Sequence, residues 1–213
     1  MTPTIRSARP EDADFIAANI LASQRGYLPR GWFDIALGCA EPECFAFVRR
    51  LAAARTRSWW HASQFLIAEV EGTPAAALCA LPVGGNFAAA QAAIEEVAAD
   101  VGLEASELSA IWRRGDYTDK CWVQGDDSDW LIEHVACVPS HRGRGLVQAL
   151  IDRALAAGKA AGHVRASITF LIGNEPAERC YAKAGFSFAE EKRDPEFEAL
   201  TGAPGFRRFE RWL

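Results

Sequence analysis

Hydrophobic and polar positions alternate with two different periods along this chain of 213 residues. Apolar positions at helical spacing predict a helix from Pro10 and helices within residues 27–61, 88–101, 106–114, 145–157 and 176–184. Strand-like runs occupy residues 4–8, 64–70, 74–81, 130–138, 164–172, 186–190 and 206–213. No internal repeat or low-complexity linker interrupts this order. The pattern therefore predicts one mixed α/β domain spanning residues 1–213, with a helical insertion at about 82–129.

The chemically most suggestive segment is residues 137–147, which join the predicted strand 130–138 to a helix. Gly143 and Gly145 carry no Cβ, so their backbone N–H groups can approach a ligand closely. The start of a helix leaves N–H groups unpaired, and Arg142 and Arg144 add positive charge. Such a loop can hold a phosphate or pyrophosphate. A basic turn without a ligand and a nucleotide-phosphate site are the alternatives.

Two motifs in this region resemble one known family. Arg142-x-x-Gly145-x-Val147 resembles the pyrophosphate loop of the GCN5-related N-acetyltransferases (GNAT), whose signature is Arg/Gln-x-x-Gly-x-Gly/Ala. Val147 departs from the small last residue of that signature. The second motif of the family is matched, in the same order, by Asn174, Ala177, Tyr181, Lys183, Gly185 and Phe186. Together the motifs cover residues 130–188.

The resemblance implies an α/β (α+β) GNAT fold: a single mixed, mostly antiparallel sheet with splayed central strands, flanked by helices. It implies that acyl-CoA lies in the splay, with pantetheine bonded to the backbone near Cys137 and Val138. The pyrophosphate would lie on residues 142–147, and the thioester would point toward Tyr181. The cofactor-binding residues that we expect are Cys137, Val138, Arg142, Gly143, Arg144, Gly145, Leu146, Val147, Asn174, Ala177 and Tyr181.

The chemistry of acyl transfer suggests the catalytic residues. A free alkylamine has a pKa of about 10, so a base helps it to lose a proton before or during attack on the thioester. Glu133 on the central strand is the favoured base, directly or through water, and His134 is the alternative. Because strand neighbours face opposite sides, we expect only one of them in the acceptor cleft. Tyr181 suits the general acid that protonates the leaving thiolate.

These features predict an N-acetyltransferase that moves an acetyl group from acetyl-CoA to a primary amine by direct attack in a ternary complex, without a metal. The amine could belong to a small molecule or a peptide. A transferase for longer acyl chains and a catalytically inert acyl-CoA-binding regulatory module are the alternatives.

Composition narrows the range of binding partners and indicates the cellular compartment. A net charge of −5 argues against a general nucleic-acid binder, and no apolar run has the length of a membrane span. The N-terminal residues do not resemble a signal peptide, and six scattered cysteines without a C-x-x-C pair favour reduced thiols and a cytoplasmic protein. The edge left by the last strand, residues 206–213, could support a homodimer.

Two further clusters have mainly structural interpretations. Among the aromatic residues between 27 and 60, we expect packing to explain most and only one or two to reach an acceptor site. The acidic residues just before the central strand are interpreted as a solvated turn, with attraction of a cationic acceptor as the alternative. They are Asp116, Asp119, Asp126, Asp127 and Asp129.

Overall fold

A computed structural model describes residues 3–213 as one sheet with helices packed on both faces. The strands are β1 Thr4–Ser7, β2 Phe65–Val70, β3 Thr73–Pro82, β4 Trp130–Cys137, β5 Arg165–Leu171, β6 Ser187–Arg193 and β7 Gly205–Trp212. The helices are α1 Ala13–Arg25, α2 Trp32–Leu37, α3 Glu41–Ala52, α4 Asn86–Asp100, α5 Ala105–Gly115, α6 Leu146–Ala160, α7 Glu175–Lys183 and α8 Pro195–Thr201. Among residues 3–213, no helix combines the length and apolar character needed to cross a membrane.

The strand order is β1-β2-β3-β4-β5-β7-β6, and every neighbouring pair is antiparallel except β4 and β5. This confirms the predicted mixed, mostly antiparallel sheet. The expectation that the last strand leaves an edge is wrong, because β7 pairs with β5 on one side and β6 on the other. The edge strand at this end is β6, whose residues 190–193 are all charged. Charged edges of this kind discourage pairing with another chain.

The central strands splay apart within the sheet. Strand β4 pairs with β5 only from Trp130↔Ala166 to Ile132↔Ile168, and its remaining residues have no partner on that side. On its other side β4 stays paired with β3, but between Cys79↔Glu133 and Ala77↔Ala136 two residues of β4, His134 and Val135, oppose only Leu78 of β3. This is a β-bulge, which bends the strand and redirects its side chains.

Two hydrophobic clusters cover the opposite faces of the sheet. Alternate residues of β2 and β3 point to opposite clusters, as the pleat of a strand requires. Helices α1, α3 and α4 pack on one face, and α6 packs on the other. Residues 82–129 leave and rejoin the sheet at one point, where the Val83 N–H bonds to the Asp129 carbonyl at 3.0 Å. Their buried side chains, such as Ile94 and Val97, form part of the first cluster.

One helix end and one whole helix differ from the sequence prediction. Helix α6 continues past Gly158 to Ala160, because Gly158 packs against the Trp130 indole and a Cβ there would lie 2.6 Å from that ring. Helix α8 was not predicted, although Asp194 caps it by accepting the N–H groups of Glu196 and Phe197. A polar cap followed by proline is the local signal that marks its start.

Candidate active site

A continuous cleft of about 1500 Å³ opens where β4 and β5 separate and extends between α1, α4, α6 and α7. Glu133, His134 and Tyr181 all line it. So do the predicted cofactor-binding residues with one exception, since Arg144 is exposed and does not line the cleft. The structure therefore brings the catalytic and cofactor-binding candidates, Arg144 apart, into one cavity.

The glycine loop forms the wall of the cleft at the start of α6. After a short 3₁₀ turn at Pro139–His141, Gly143 and Gly145 adopt φ angles of +74° and +77°, which favour glycine. A Cβ added to either would meet nothing within 4 Å. The space beside the helix N-terminus is thus open, and only the absence of side chains keeps it so. Together with the nearby Arg142, this arrangement fits an anionic pyrophosphate.

The backbone at the end of β4 offers one open edge. The Val138 N–H bonds to the Ala75 carbonyl at 2.8 Å, and the Val138 carbonyl accepts from the His141 N–H at 2.9 Å. Successive peptide groups of a strand point to opposite edges, so the peptide of Cys137 faces the gap left by β5. Arg142 Nε donates to the Cys137 carbonyl there, at 3.4 Å. Of the two residues expected to bond a ligand through the backbone, Cys137 has the available groups and Val138 does not.

Glu133 is the most perturbed carboxyl in the cleft. Burial raises its pKa to about 8, against a smaller opposing effect of the His134 backbone N–H. Its Oε1 is shielded from solvent and has no hydrogen-bond partner within residues 3–213. A buried carboxyl with its pKa near neutrality can take up and release a proton at working pH.

The bulge places both Glu133 and His134 in the cleft, so the expectation that only one of them would face it is wrong. That expectation assumed regular alternation, whereas His134 has a φ of +52° and interrupts the pleat. Asn19 Nδ2 of α1 donates to the His134 carbonyl at 2.6 Å and so fixes the bulge from across the sheet face. A non-glycine residue at positive φ needs such support from its surroundings.

The His134 imidazole is held among apolar rings. It stacks on Phe65 with centroids 6.1 Å apart, and Ser23 Oγ lies 3.4 Å from its Nδ1. Burial lowers its pKa to about 3, so the ring is neutral at physiological pH. Its Nε2 has no partner within residues 3–213.

Tyr181 supplies the phenol at the opposite side of the splay. Helix α7 buries the side chain, which packs edge-to-face on Phe170 with centroids 5.3 Å apart. Burial raises its pKa, and Cys180 and then Glu133 raise it further. The phenol is therefore protonated at physiological pH, and it lines the same cleft as Glu133.

Asn174 holds α7 in place. Its Oδ1 accepts the Ala177 N–H at 3.3 Å, which is an N-cap interaction at the first turn. The second sequence motif therefore orients the helix that carries Tyr181, in addition to lining the cleft.

Aromatic side chains form one wall of the cleft near Glu133 and His134. We call Trp59, Trp60, Phe87 and Trp122 the aromatic wall. The Trp59 ring lies 5.7 Å from Trp60, 5.2 Å from Phe87 and 6.5 Å from His134, all in edge-to-face geometry. The Phe87 and Trp122 centroids are 6.4 Å apart.

More aromatic residues from the 27–60 region reach the cleft than the sequence suggested. Four of them line it, Tyr27, Trp32, Trp59 and Trp60, where one or two were expected. Three of them also belong to the first hydrophobic cluster, because Trp60 is buried in it and Trp32 and Trp59 pack against it.

The acidic residues before β4 divide into two groups. Asp116 and Asp119 line the cleft and are exposed. Asp129 is buried and pairs with Arg165 at 2.6 Å, so it stabilises the junction of β4 and β5. Residues 3–213 contain no group of three or more His, Cys, Asp or Glu side chains arranged to hold a metal ion.

Asn19 is the functional residue that the sequence reasoning missed. It lies between Ile16 and Ile20 on the buried side of α1, and it is itself buried. A polar residue within an apolar helical stripe is a signal for a specific hydrogen bond, because an unpaired buried amide is costly. The partner, 115 residues away, could not be read from the pattern.

Comparison with known proteins agrees with this architecture. The sequence model described as the acetyltransferase (GNAT) family matches residues 107–186. No protein among the curated sequences matches the chain.

Solved structures resemble the whole chain at low sequence identity. A structure described as an acetyltransferase is 19% identical with a TM-score of 0.71, covering 99% of both chains. An N-acetyltransferase from Staphylococcus aureus Mu50 is 19% identical with a TM-score of 0.70, covering 98% of this chain and 100% of its own. A polyamine N-acetyltransferase from Drosophila melanogaster is 16% identical with a TM-score of 0.57, covering 100% of both chains.

The matched segment contains both motifs, and the shared fold extends over the rest of the chain. Residues 107–186 are thus similar to the acetyltransferase (GNAT) family, and the chain as a whole has the fold of these acetyltransferase structures.

Proposed function

We propose that the protein is an N-acetyltransferase that transfers the acetyl group of acetyl-CoA to a primary amine by direct attack in a ternary complex. One observation carries this proposal: Glu133 and Tyr181 both line the cleft that also contains the open edge of β4 and the glycine loop. A candidate base and a candidate acid thus line the one cleft in which a thioester could lie.

The donor substrate fits the groups along the open edge. The helix N-terminus at Gly145 and the Arg142 guanidinium attract the pyrophosphate. The Cys137 peptide can bond the amide groups of the pantetheine arm, as a missing strand would. The cleft then leads toward Tyr181.

The proposed reaction needs two proton transfers. The amine nitrogen forms a bond to the acetyl carbonyl carbon, and the carbon–sulfur bond breaks. Glu133 takes the proton that the amine loses, and Tyr181 gives its phenolic proton to the departing thiolate. Solvent then removes the proton from Glu133 and returns one to Tyr181, so both residues begin the next turnover unchanged.

Glu133 suits the role of base better than His134. A base whose conjugate acid has a pKa of about 3 takes a proton from an ammonium of pKa about 10 only very weakly. A carboxylate with a pKa of about 8 is far closer to the amine. His134 instead borders the acceptor side of the cleft as a neutral ring.

A longer acyl donor is the second candidate, because Val147 departs from the small last residue of the motif and the cleft is large, at about 1500 Å³. The test is thiol release from acetyl-, butyryl- and octanoyl-CoA with a panel of primary amines, followed by mass spectrometry of the product amide. We expect acetyl-CoA to give the highest kcat/KM. A higher kcat/KM with octanoyl-CoA would show that the donor is a long-chain acyl-CoA and not acetyl-CoA. CoA binding without thiol release for any amine would favour the inert binding module.

A further inference from the structure

We propose that strand β7 positions the Tyr181 phenol, through three side chains that hold α7 against the sheet: Arg207, Phe209 and Arg211. This inference rests on the proposed function, because it adds positioning residues for the acid of that reaction. None of the three side chains lines the cleft. They therefore touch neither substrate there and act through the helix that carries the phenol.

The three side chains lie on one face of the sheet. Strand β7 pairs with β5 without a register shift from Phe206 to Trp212, so its residues alternate regularly between the two faces. Phe209 is buried in the hydrophobic cluster that also contains Tyr181 of α7. The face of β7 that carries Arg207, Phe209 and Arg211 is thus the face against which α7 packs.

Arg207 connects the first turn of α7 to the sheet. Its Nη1 donates to Glu178 Oε1 at 2.8 Å, and its Nε and Nη2 donate to Glu191 Oε2 of β6 at 2.9 and 2.7 Å. The Arg207 side chain is only 20% exposed. A planar guanidinium held by several charge-assisted bonds has little freedom to turn, so Arg207 fixes the place of Glu178.

Arg211 connects the other end of α7 to the same strand. Its Nη1 donates to the carbonyl of Ala184, the residue that ends the helix. A cation there also stabilises the partial negative charge of the helix C-terminus. The guanidinium lies directly against the turn that follows, because a Cβ at Gly185 would be 3.4 Å from the Arg211 Nη1.

Aromatic contacts connect the middle of α7 to the strand. The Phe209 ring packs edge-to-face on Phe170 with centroids 5.1 Å apart, and Phe170 packs in the same way on Tyr181 at 5.3 Å. The two polar contacts lie on either side of Tyr181, at Glu178 and Ala184. These points are about 9 Å apart along a helix, and the two arginines are about 13 Å apart along a strand.

Helix α7 depends on such contacts because it has only nine residues. An isolated helix of this length is marginal in water, so its position comes from what it packs against. A displacement of about 1 Å in a reacting group can cost up to about 10²-fold in rate. Loss of one contact with β7 should therefore slow proton donation by Tyr181 without changing the cleft itself.

Two variants each remove one polar contact. Glu178→Gln removes the charge that pairs with Arg207, and Arg211→Met keeps a long side chain without its N–H donors. Neither Glu178 nor Arg211 lines the cleft. Because the two contacts are independent, either variant carries the test if the other does not fold.

Each variant has a matched control. Glu175 lies in the same first turn as Glu178, but it pairs with Arg179 of its own helix, so Glu175→Gln leaves β7 untouched. Arg208→Met removes an arginine of β7 that pairs with Glu190 and Glu210 instead of α7.

The assay measures kcat and KM for an alkylamine at saturating acetyl-CoA, and CoA affinity by calorimetry. We expect each of the two variants to lose about 10-fold in kcat, with KM and CoA affinity changed by less than about 2-fold. The loss should be the same from pH 7 to 10, as for Tyr181→Phe. Both controls should keep the wild-type kcat. A loss that appears in KM or in CoA affinity instead of kcat would overturn the inference.

The decisive measurement repeats Glu178→Gln in a Tyr181→Phe background. With the phenol already absent, the second substitution should lower kcat by less than about 2-fold. A 10-fold loss that persists in this background would refute the inference, because the contact would then act on something other than the phenol.

Hydrogen exchange of peptides from residues 174–185 tests the same contacts without catalysis. We expect faster exchange in Glu178→Gln and Arg211→Met than in wild type and both controls. Wild-type exchange in the two variants would refute the inference whatever the activity of the enzyme. Absence of thiol release from wild type with any amine would instead refute the proposed function, and the exchange rates would still decide whether β7 holds α7.

Discussion

Replacement of Glu133 by glutamine should change both the catalytic rate and the pH dependence of stability. Burial raises the pKa of Glu133 from 4.5 to about 8. In the folded protein the carboxyl therefore keeps its proton in a pH range where the unfolded chain has lost it. Since the folded state binds more protons there, the free energy of unfolding falls as pH rises from about 4.5 to 8. At 1.36 kcal/mol per pKa unit, the full effect is at most about 5 kcal/mol, and access of water to the cleft reduces it.

His134 restricts the range in which this effect is visible. Burial lowers its pKa from 6.5 to about 3, so the unfolded chain binds the proton first and the free energy of unfolding rises with pH up to about 6.5. The two groups oppose each other below pH 6.5. Between pH 6.5 and 8 Glu133 acts without this opposition, and its slope is at most about 1.4 kcal/mol per pH unit.

The assay for stability is urea unfolding of wild type and Glu133→Gln at several pH values from 6.5 to 8.5. We expect the wild type to lose stability more steeply than the variant across this range, and the variant to be more stable at pH 8.5. Toward pH 8.5 both proteins also lose stability, because burial raises the pKa of thiols such as Cys44 and Cys79. Glu95→Gln, at an exposed position on α4, should retain the wild-type slope. Equal slopes in Glu133→Gln and wild type would refute the assignment of a raised pKa to Glu133.

The assay for catalysis is kcat/KM for a simple alkylamine as a function of pH. Glu133→Gln should lose about 10²- to 10⁴-fold near pH 7.5. The rate should recover toward pH 10, where the amine loses its proton without help. A deficit that stays constant up to pH 10 would contradict the role of Glu133 as base.

Three other changes test the remaining parts of the site. Gly145→Asp should abolish thermal stabilisation by CoA, because it adds negative charge at the helix N-terminus. The control is Gly72→Asp, since Gly72 has the same φ of +77° and an equally open Cβ position; equal CoA stabilisation of both variants would contradict the loop assignment. Tyr181→Phe should keep the fold and CoA binding but slow the chemical step by about 10²- to 10⁴-fold at every pH. A rate that recovers at high pH, as expected for Glu133→Gln, would contradict the assignment of Tyr181 as acid and Glu133 as base. Asn19→Leu should destabilise the protein to urea by about 1–3 kcal/mol by leaving the His134 carbonyl unpaired. Ser23→Ala loses a 3.4 Å contact to the same residue and a bond to the Ile20 carbonyl of its own helix, and should cost less than half as much; similar losses in both would argue against the clamp on the bulge.

The sequence by itself determined the parts of this protein that depend on neighbouring residues. The loop of residues 142–147 needs glycines at positive φ and a helix directly after it, and both requirements are met within a few positions. Asn174 caps the helix that carries Tyr181 seven residues later, which is again a local relation. For that reason the glycine loop and the helix that carries Tyr181 could be predicted from residues close together in the chain, whereas the mixed sheet followed from the family resemblance.

Only the tertiary structure decided how the acceptor side is built. The bulge at His134 depends on a register in which two residues of β4 oppose one of β3, and Asn19 supports it from 115 residues away. The aromatic wall combines a segment before β2 with two segments of the 82–129 region, and β7 lies inside the sheet because β6 pairs outside it. These relations arise from long-range packing, which depends on how distant segments meet and not on the spacing of residues within any one of them.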